Sequence, residues 1–167
     1  MRSGESIRIF PADWEIRDGD IVLLGSSTIR ARVLKCLDGG TGWAHCGLVV
    51  APDSIVHADP KCGVIRQTMN EYLAENEVDC ICLLRPKIGN GEIAARFALD
   101  CVEKCVEFDN SFRYKNGGGM YCTELVLLAW ESAGVEILPN VASGDRIKPS
   151  CLAKTAQLYR IRELHLP

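Results

Sequence analysis

Cys122 has the setting of a reactive thiol. Gly117-Gly118-Gly119-Met120-Tyr121 runs into it, and the apolar stretch from Cys122 to Ala133, stopped by Gly134, has the pattern of a helix. A glycine-rich approach places the cysteine at or near the helix N-terminus. Free backbone N–H groups and the positive end of the helix dipole favour thiolate over thiol there. Such settings lower a cysteine pKa from about 8.5 to roughly 3.5–7.5, most strongly beside a protonated histidine. The same N–H groups can hold the oxyanion formed when a carbonyl is attacked. A cysteine at a helix start can equally do no more than pack, so the chemistry turns on a partner base.

Three histidines are available. His165 lies near the end of the sequence, where a solvated surface role is expected. His45 and His57 are twelve residues apart on two strand-like runs, 45–50 and 54–58, separated by Ala51-Pro52-Asp53. If those three residues form the loop, Val50 faces Ser54 and the two histidines are diagonal neighbours on one face, roughly 7–8 Å apart. A two-residue Pro-Asp turn would slip the register by one and send them to opposite faces. Brought together, one imidazole serves the thiol as general base while the other holds its tautomer and orientation. Each histidine could instead be a satisfied, partly buried residue.

Several elements must position these groups. Gly19–Leu24 reads as a strand of the continuous apolar kind, and the Ser26-Ser27-Thr28 cluster can cap a helix running to about Leu37. Residues 63–67 and 78–85 read as further strands. Thr68 and Glu71 have the spacing of a capping box opening a short helix to about Glu75. From 92 to 105, Ile93, Phe97, Ala98, Cys101, Val102 and Cys105 fall on one helical face. Residues 108–119 form a long irregular connection, 149–154 a short helix or turn, and 157–164 a last strand. A few helices beside a largely antiparallel, bent sheet is an α+β arrangement.

Composition bounds the alternatives. The chain has 167 residues, 47% of them hydrophobic, which suits one domain, 1–167, with a real core. A net charge of −3 with scattered Lys and Arg offers no basic field for nucleic acid or anionic membrane. No apolar run approaches the ~20 residues of a membrane helix. The first residues lack the apolar segment of a signal peptide, so a cytoplasmic protein without a transmembrane segment is expected. Nine cysteines, an odd number without a secretory signal, argue against a disulfide framework. The close pairs, Cys80-x-Cys82 and Cys101-x3-Cys105, lack the usual Cys-x2-Cys spacing of zinc sites. Most thiols are expected to be small buried hydrophobes, Cys46 among them, pointing away from the His45 face into the core. Glu124 suits the first turn of its helix, and Asp20 suits a turn. Tyr121 and Trp43 could wall a substrate cleft or pack in the core.

With these residues in place, the chain resembles the circularly permuted papain-like amidases, the YiiX-like group of the NlpC-type cysteine peptidase superfamily. Gly19-Asp20-Ile21-Val22-Leu23 is similar to the family's opening strand, and Trp43–Val50 to its His-x-Gly-hydrophobic strand, whose histidine is the base. Residues 55–58 fall on the strand holding the third polar residue. Residues 108–112 resemble the segment before the catalytic helix, and Tyr121-Cys122-Thr123-Glu124-Leu125-Val126 its Tyr-Cys-Ser-Glu-Leu-Val nucleophile motif. Residues 147–152 look like its closing Pro-containing turn. The resemblance implies a permuted papain-like α+β fold, with a helical part packed on a small antiparallel barrel-like sheet. It implies catalysis by Cys122, His45 and His57, without cofactor or metal, on a small peptide or acyl substrate. Many members of the group carry Glu where this chain has His57. A Cys-His-His set with histidines twelve apart is similar instead to the lecithin retinol acyltransferase-like relatives, which act on acyl esters and lipids. Three readings follow: an amidase or peptidase, a lipid acyltransferase or thioesterase, and a binding module that kept the fold without the reaction.

Overall fold

One apolar run, Ile21–Ser26 (β1), passes through the middle of the sheet and is buried along its whole length. The computed structural model describes residues 10–26, 42–75 and 78–166. After β1 come Trp43–Val50 (β2), Ser54–Asp59 (β3), Gly63–Thr68 (β4), Met69–Glu75 (α1) and Val78–Pro86 (β5). Gly91–Glu103 (α2), Cys122–Ser132 (α3), Pro149–Lys154 (α4) and Leu158–His165 (β6) complete the order. The helix expected after Ser26 lies outside the described residues.

The six strands form one sheet in the order β4-β3-β2-β1-β5-β6, each neighbour antiparallel to the next. An antiparallel sheet commonly leaves one face to water and then alternates in sequence. Here both faces of the central strands are covered, which is why β1 reads as a continuous apolar run. Ile21, Leu23, Leu48, Val56, Cys82 and Leu84 face a core shared with α2 and α3. Val22, Leu24, Val49, Ile55, Ile81 and Leu83 face a second core closed by Phe10 and by Met69, Tyr72 and Leu73 of α1. The expected barrel-like closure is not what the described residues show. The sheet is open, with β4 and β6 at its edges, and β6 carries exposed charge that discourages further strand pairing.

One helix differs from its sequence pattern. The buried stripe of α2 is Ala94, Ala95, Ala98 and Cys101, while Ile93 is 44% exposed. Small residues let α2 approach its neighbours closely, and that contact outweighs the larger side chains beside it. Cys105 falls beyond the helix end, exposed and in the left-handed region at φ 52°. His165 closes β6, with 77% of its side chain exposed.

The lead into β1 is fastened to the helical layer. Gly19, at φ 84°, lies back to back with Gly91 at the start of α2, where a Cβ on either residue would strike the other's backbone neighbourhood. The Trp130 indole of α3 donates to the Gly19 carbonyl at 3.0 Å. Asp20, buried, accepts two hydrogen bonds from the Arg85 guanidinium, at 2.7 and 2.8 Å, and one from the Arg17 backbone at 2.8 Å. It is a structural anchor at the head of the sheet. Trp130→Phe keeps the ring but leaves the Gly19 carbonyl unpaired, at a cost of about 1–3 kcal/mol. The urea midpoint of this variant should fall with its m-value unchanged, and an unaltered midpoint would show the tether to be idle.

Candidate active site

The start of α3 is fixed from behind. Its N-cap, Tyr121, has extended backbone (φ −103°, ψ 174°) and no side-chain cap. The residue three places on, Glu124, does the work instead. Its carboxylate accepts from the Lys115 N–H at 2.7 Å, which ties the first turn of α3 to the segment before it. Glu124 is 2% exposed, and burial raises its carboxyl above the usual range against that hydrogen bond. The glycine approach is pinned rather than loose: Met120 donates to the Glu107 carbonyl at 3.0 Å, and Asp109 donates to the Met120 carbonyl at 3.1 Å. Gly119, at φ 106°, lies against the Glu107 carbonyl, where no side chain would fit. Cys122 is therefore the first residue of a helix whose entry cannot swing.

The two histidines meet as the three-residue loop requires. Val50 pairs with Ser54 and Leu48 with Val56, so Ala51-Pro52-Asp53 is the turn and the Ala51–Pro52 bond is cis. Beside His45 the pairing of β1 and β2 shifts, Leu24 opposing His45 and Gly25 opposing Trp43, so Ala44 is the extra residue of a bulge. Bulges re-aim neighbouring side chains. His45 Nε2 lies 2.9 Å from His57 Nδ1, with the rings edge to face. The Tyr72 ring of α1 packs on both, 5.6 Å from His45 and 4.8 Å from His57 between centroids.

Behind His57 the hydrogen bonds continue. His57 Nε2 is 2.7 Å from Gln67 Oε1, and Gln67 Nε2 donates to Glu75 Oε2 at 2.6 Å. This line has one direction. A carboxylate only accepts, so Gln67 turns its NH2 to Glu75 and its oxygen to His57. His57 must then carry its proton on Nε2. Burial, and then the charge of His45, push His57 down to about 4, so it is neutral at pH 7 and its Nδ1 can only accept. His45 must donate from Nε2, which leaves Nδ1 as its variable nitrogen.

Cys122 is 8% exposed, and its pKa is held well below that of an ordinary thiol. The first cause is a hydrogen bond with Cys46; burial opposes it, and hydrogen bonding to His45, the His45 charge and Thr123 add to it. Cys46, fully buried, is pushed the other way, chiefly by burial. The Cys122 site, at a helix start and beside an imidazole, is where the charge belongs, with the Cys46 S–H donating to the Thr123 hydroxyl. The Thr123 hydroxyl sits between, 3.9 Å from the Cys122 sulfur and 4.0 Å from that of Cys46. His45 Nε2 is committed to His57, so the nitrogen facing the thiol is Nδ1.

Cys122, His45 and His57, singled out by type and spacing, are thus adjacent. Tyr121, 1% exposed, and Trp43, 8% exposed, both take the core-packing alternative. The exposed aromatic residue beside the start of α3 is Phe112, 39% exposed at φ 55°, its ring 5.7 Å from Tyr121. A bulky residue in the left-handed region is uncommon. Sequence pattern marks Cys46 only as a core thiol, and does not single out Thr123, Gln67 or Glu75. Only Gln67 gave a signal, lying two residues from Ile65, the cross-strand partner of His57, and so on the same face.

Comparison of the sequence with protein-family models and with curated proteins gave no match. Among solved structures, the fold is similar to the crystal structure of the metalloprotein yiiX from Escherichia coli O157:H7, DUF1105, with a TM-score of 0.75. The superposition covers 92% of this chain and 100% of that one at 17% sequence identity. The chain therefore has a YiiX-like α+β fold.

Two measurements test the site. Cys46→Ala removes the first cause of the low Cys122 pKa, an interaction with a charged group worth about 1.5 kcal/mol or more, and should slow alkylation of Cys122 at pH 6 about tenfold. An unchanged rate would mean Cys46 only packs. For His57, the unfolded chain takes a proton near pH 6.5 and the folded protein only near 4. Between those values the unfolded state binds more protons, so stability is lost as pH falls from about 6.5 towards about 4. The Tm should drop across that window in the wild type and drop less in His57→Gln; equal slopes would contradict the assignment.

Proposed function

We propose that this chain is a cysteine hydrolase cleaving an amide bond of a small peptide or peptide-like substrate through an acyl-enzyme on Cys122. The observation that carries the reading is the one-way line from Glu75 through Gln67 and His57 to His45, ending at a thiol held in its reactive form. In this reading the fold is a circularly permuted papain-like, NlpC-type arrangement. The chain order supports it, the histidine strand preceding the cysteine helix where papain-like proteases have the reverse.

His45 Nδ1 holds the proton given up by Cys122, and the thiolate sulfur attacks the carbonyl carbon. The oxyanion is held by first-turn N–H groups of α3. As the tetrahedral species collapses, the C–N bond breaks and His45 returns the proton to the leaving amine. Water then attacks the thioester with His45 again as base, releasing the acid and restoring the thiol. His57 does not compete for the proton at neutral pH; it keeps His45 in the one tautomer that serves the thiol. Phe112, exposed beside the α3 start, supplies an apolar wall for the acyl side.

The solved neighbour is a metalloprotein, and the histidine pair does not suit a metal. Two imidazole nitrogens on a tetrahedral zinc stand about 3.3 Å apart, each with its lone pair on the metal. His45 Nε2 and His57 Nδ1 are 2.9 Å apart and share a proton. The donor set fits proton transfer.

One feature favours a second reading. The third member is a neutral histidine rather than a carboxylate, the set of the lecithin retinol acyltransferase-like enzymes, in which an alcohol or amine acceptor takes the acyl group or water releases it from a thioester. Fluorogenic aminoacyl and peptidyl amides tested beside acyl esters and thioesters separate the two. Turnover of amides should depend on Cys122, and His45→Ala should cost about 10²–10⁴-fold in kcat. Turnover confined to long-chain esters or thioesters would select the acyltransferase reading. An intact-mass search that finds no Cys122 acyl adduct with any of them would leave a binding module.

A further inference from the structure

A second constellation lies two strands from the histidines, at the far edge of the sheet, and the reaction does not use it. Cys80 of β5 pairs directly with His165 of β6, and Cys82 with Glu163. Strand alternation puts these side chains on one face. The Cys80 sulfur, a Glu163 carboxylate oxygen and a His165 ring nitrogen all lie within 4.8 Å of one another. Among the described residues they form the one group of three such side chains so arranged. We infer that Cys80, Glu163 and His165 form a binding site for a zinc-class divalent transition metal ion, separate from the Cys122 centre.

The donor types choose the metal. One sulfur, one imidazole nitrogen and one carboxylate oxygen make a borderline set of the kind zinc takes, whereas calcium and magnesium call for oxygen ligands throughout. Three protein ligands leave a fourth tetrahedral position for water or another ligand. The surroundings suit occupancy. Arg160 binds Glu163 Oε2 at 2.5 Å, leaving Oε1, which is 3.1 Å from His165 Nε2, for the site. Gly25 of β1 stands opposite Cys80, and a Cβ there would crowd the Cys80 sulfur at 3.4 Å and the Gly42 carbonyl at 2.9 Å. Sequence spacing argued against zinc because it looked for neighbouring cysteines; Cys80 becomes a neighbour of Glu163 and His165 only through strand pairing. Bound metal would bolt the edge strand β6 to β5, since ligands drawn from two strands come together only in the folded chain.

The test uses the reduced, chelator-stripped full chain. Cobalt(II) titration should give a sulfur-to-cobalt charge-transfer band with tetrahedral d–d absorption at one equivalent, and zinc should displace it. Cys80→Ser should abolish the charge-transfer band. His165→Ala, a change at an exposed side chain, should weaken zinc binding at least about tenfold in competition with a chromophoric chelator. Cys122→Ala should leave both unchanged, and zinc should raise the wild-type Tm but not that of Cys80→Ser. A cobalt spectrum that survives Cys80→Ser or vanishes in Cys122→Ala would overturn the site, as would the absence of one-equivalent binding.

Discussion

The arrangement depends on the fact that a carboxylate can accept hydrogen bonds but not donate them. Glu75 sets Gln67, Gln67 sets His57, and His57 sets His45, each through a group with no alternative orientation. A second histidine in place of a carboxylate supplies no fixed negative charge. Here it supplies direction, and the direction originates two hydrogen bonds further back. Burial of His57 serves the same end, because a protonated His57 would have no lone pair for His45. The low pKa of that ring is a requirement of the relay, and the loss of stability in acid is its consequence.

The fold is organised to hold this line. Covering both faces of the sheet lets the helix α1, on one side, present Tyr72 to the histidines and Glu75 to Gln67, while α3, on the other, presents Cys122. The bulge at Ala44 lies where His45 and Cys46, neighbours on opposite faces, must both serve the same sulfur. Glu124 and the pinned glycine approach fix the helix start. The tether of Trp130 to Gly19 fixes α3 to the sheet.

What could be read from the sequence was local or periodic. The capping box of Thr68 and Glu71 forms as expected, with Glu71 accepting from the Thr68 N–H at 2.8 Å, and it starts α1. The loop length at Pro52 decided the histidine pairing because a one-residue slip reverses every side chain. What could not be read was contact between distant elements. Alternation correctly sent Cys46 into the core, but could not say that Cys122 lines the core at that point. Gln67 and Glu75 are ordinary surface types, and only the packing of β4 beside α1 makes them a relay. Sheet closure failed for a related reason: strand patterns report faces, and not whether the two edges meet.

The central claim is the direction of the line, and the nitrogen resonances of the histidines report it directly. Long-range proton–nitrogen spectra of the protein with labelled histidine, assigned with His57→Gln, should show His57 neutral from pH 6 to 8. Its Nε2 should carry the proton and its Nδ1 should be bare. A His57 protonated at Nδ1, or on both nitrogens anywhere in that range, would contradict the account.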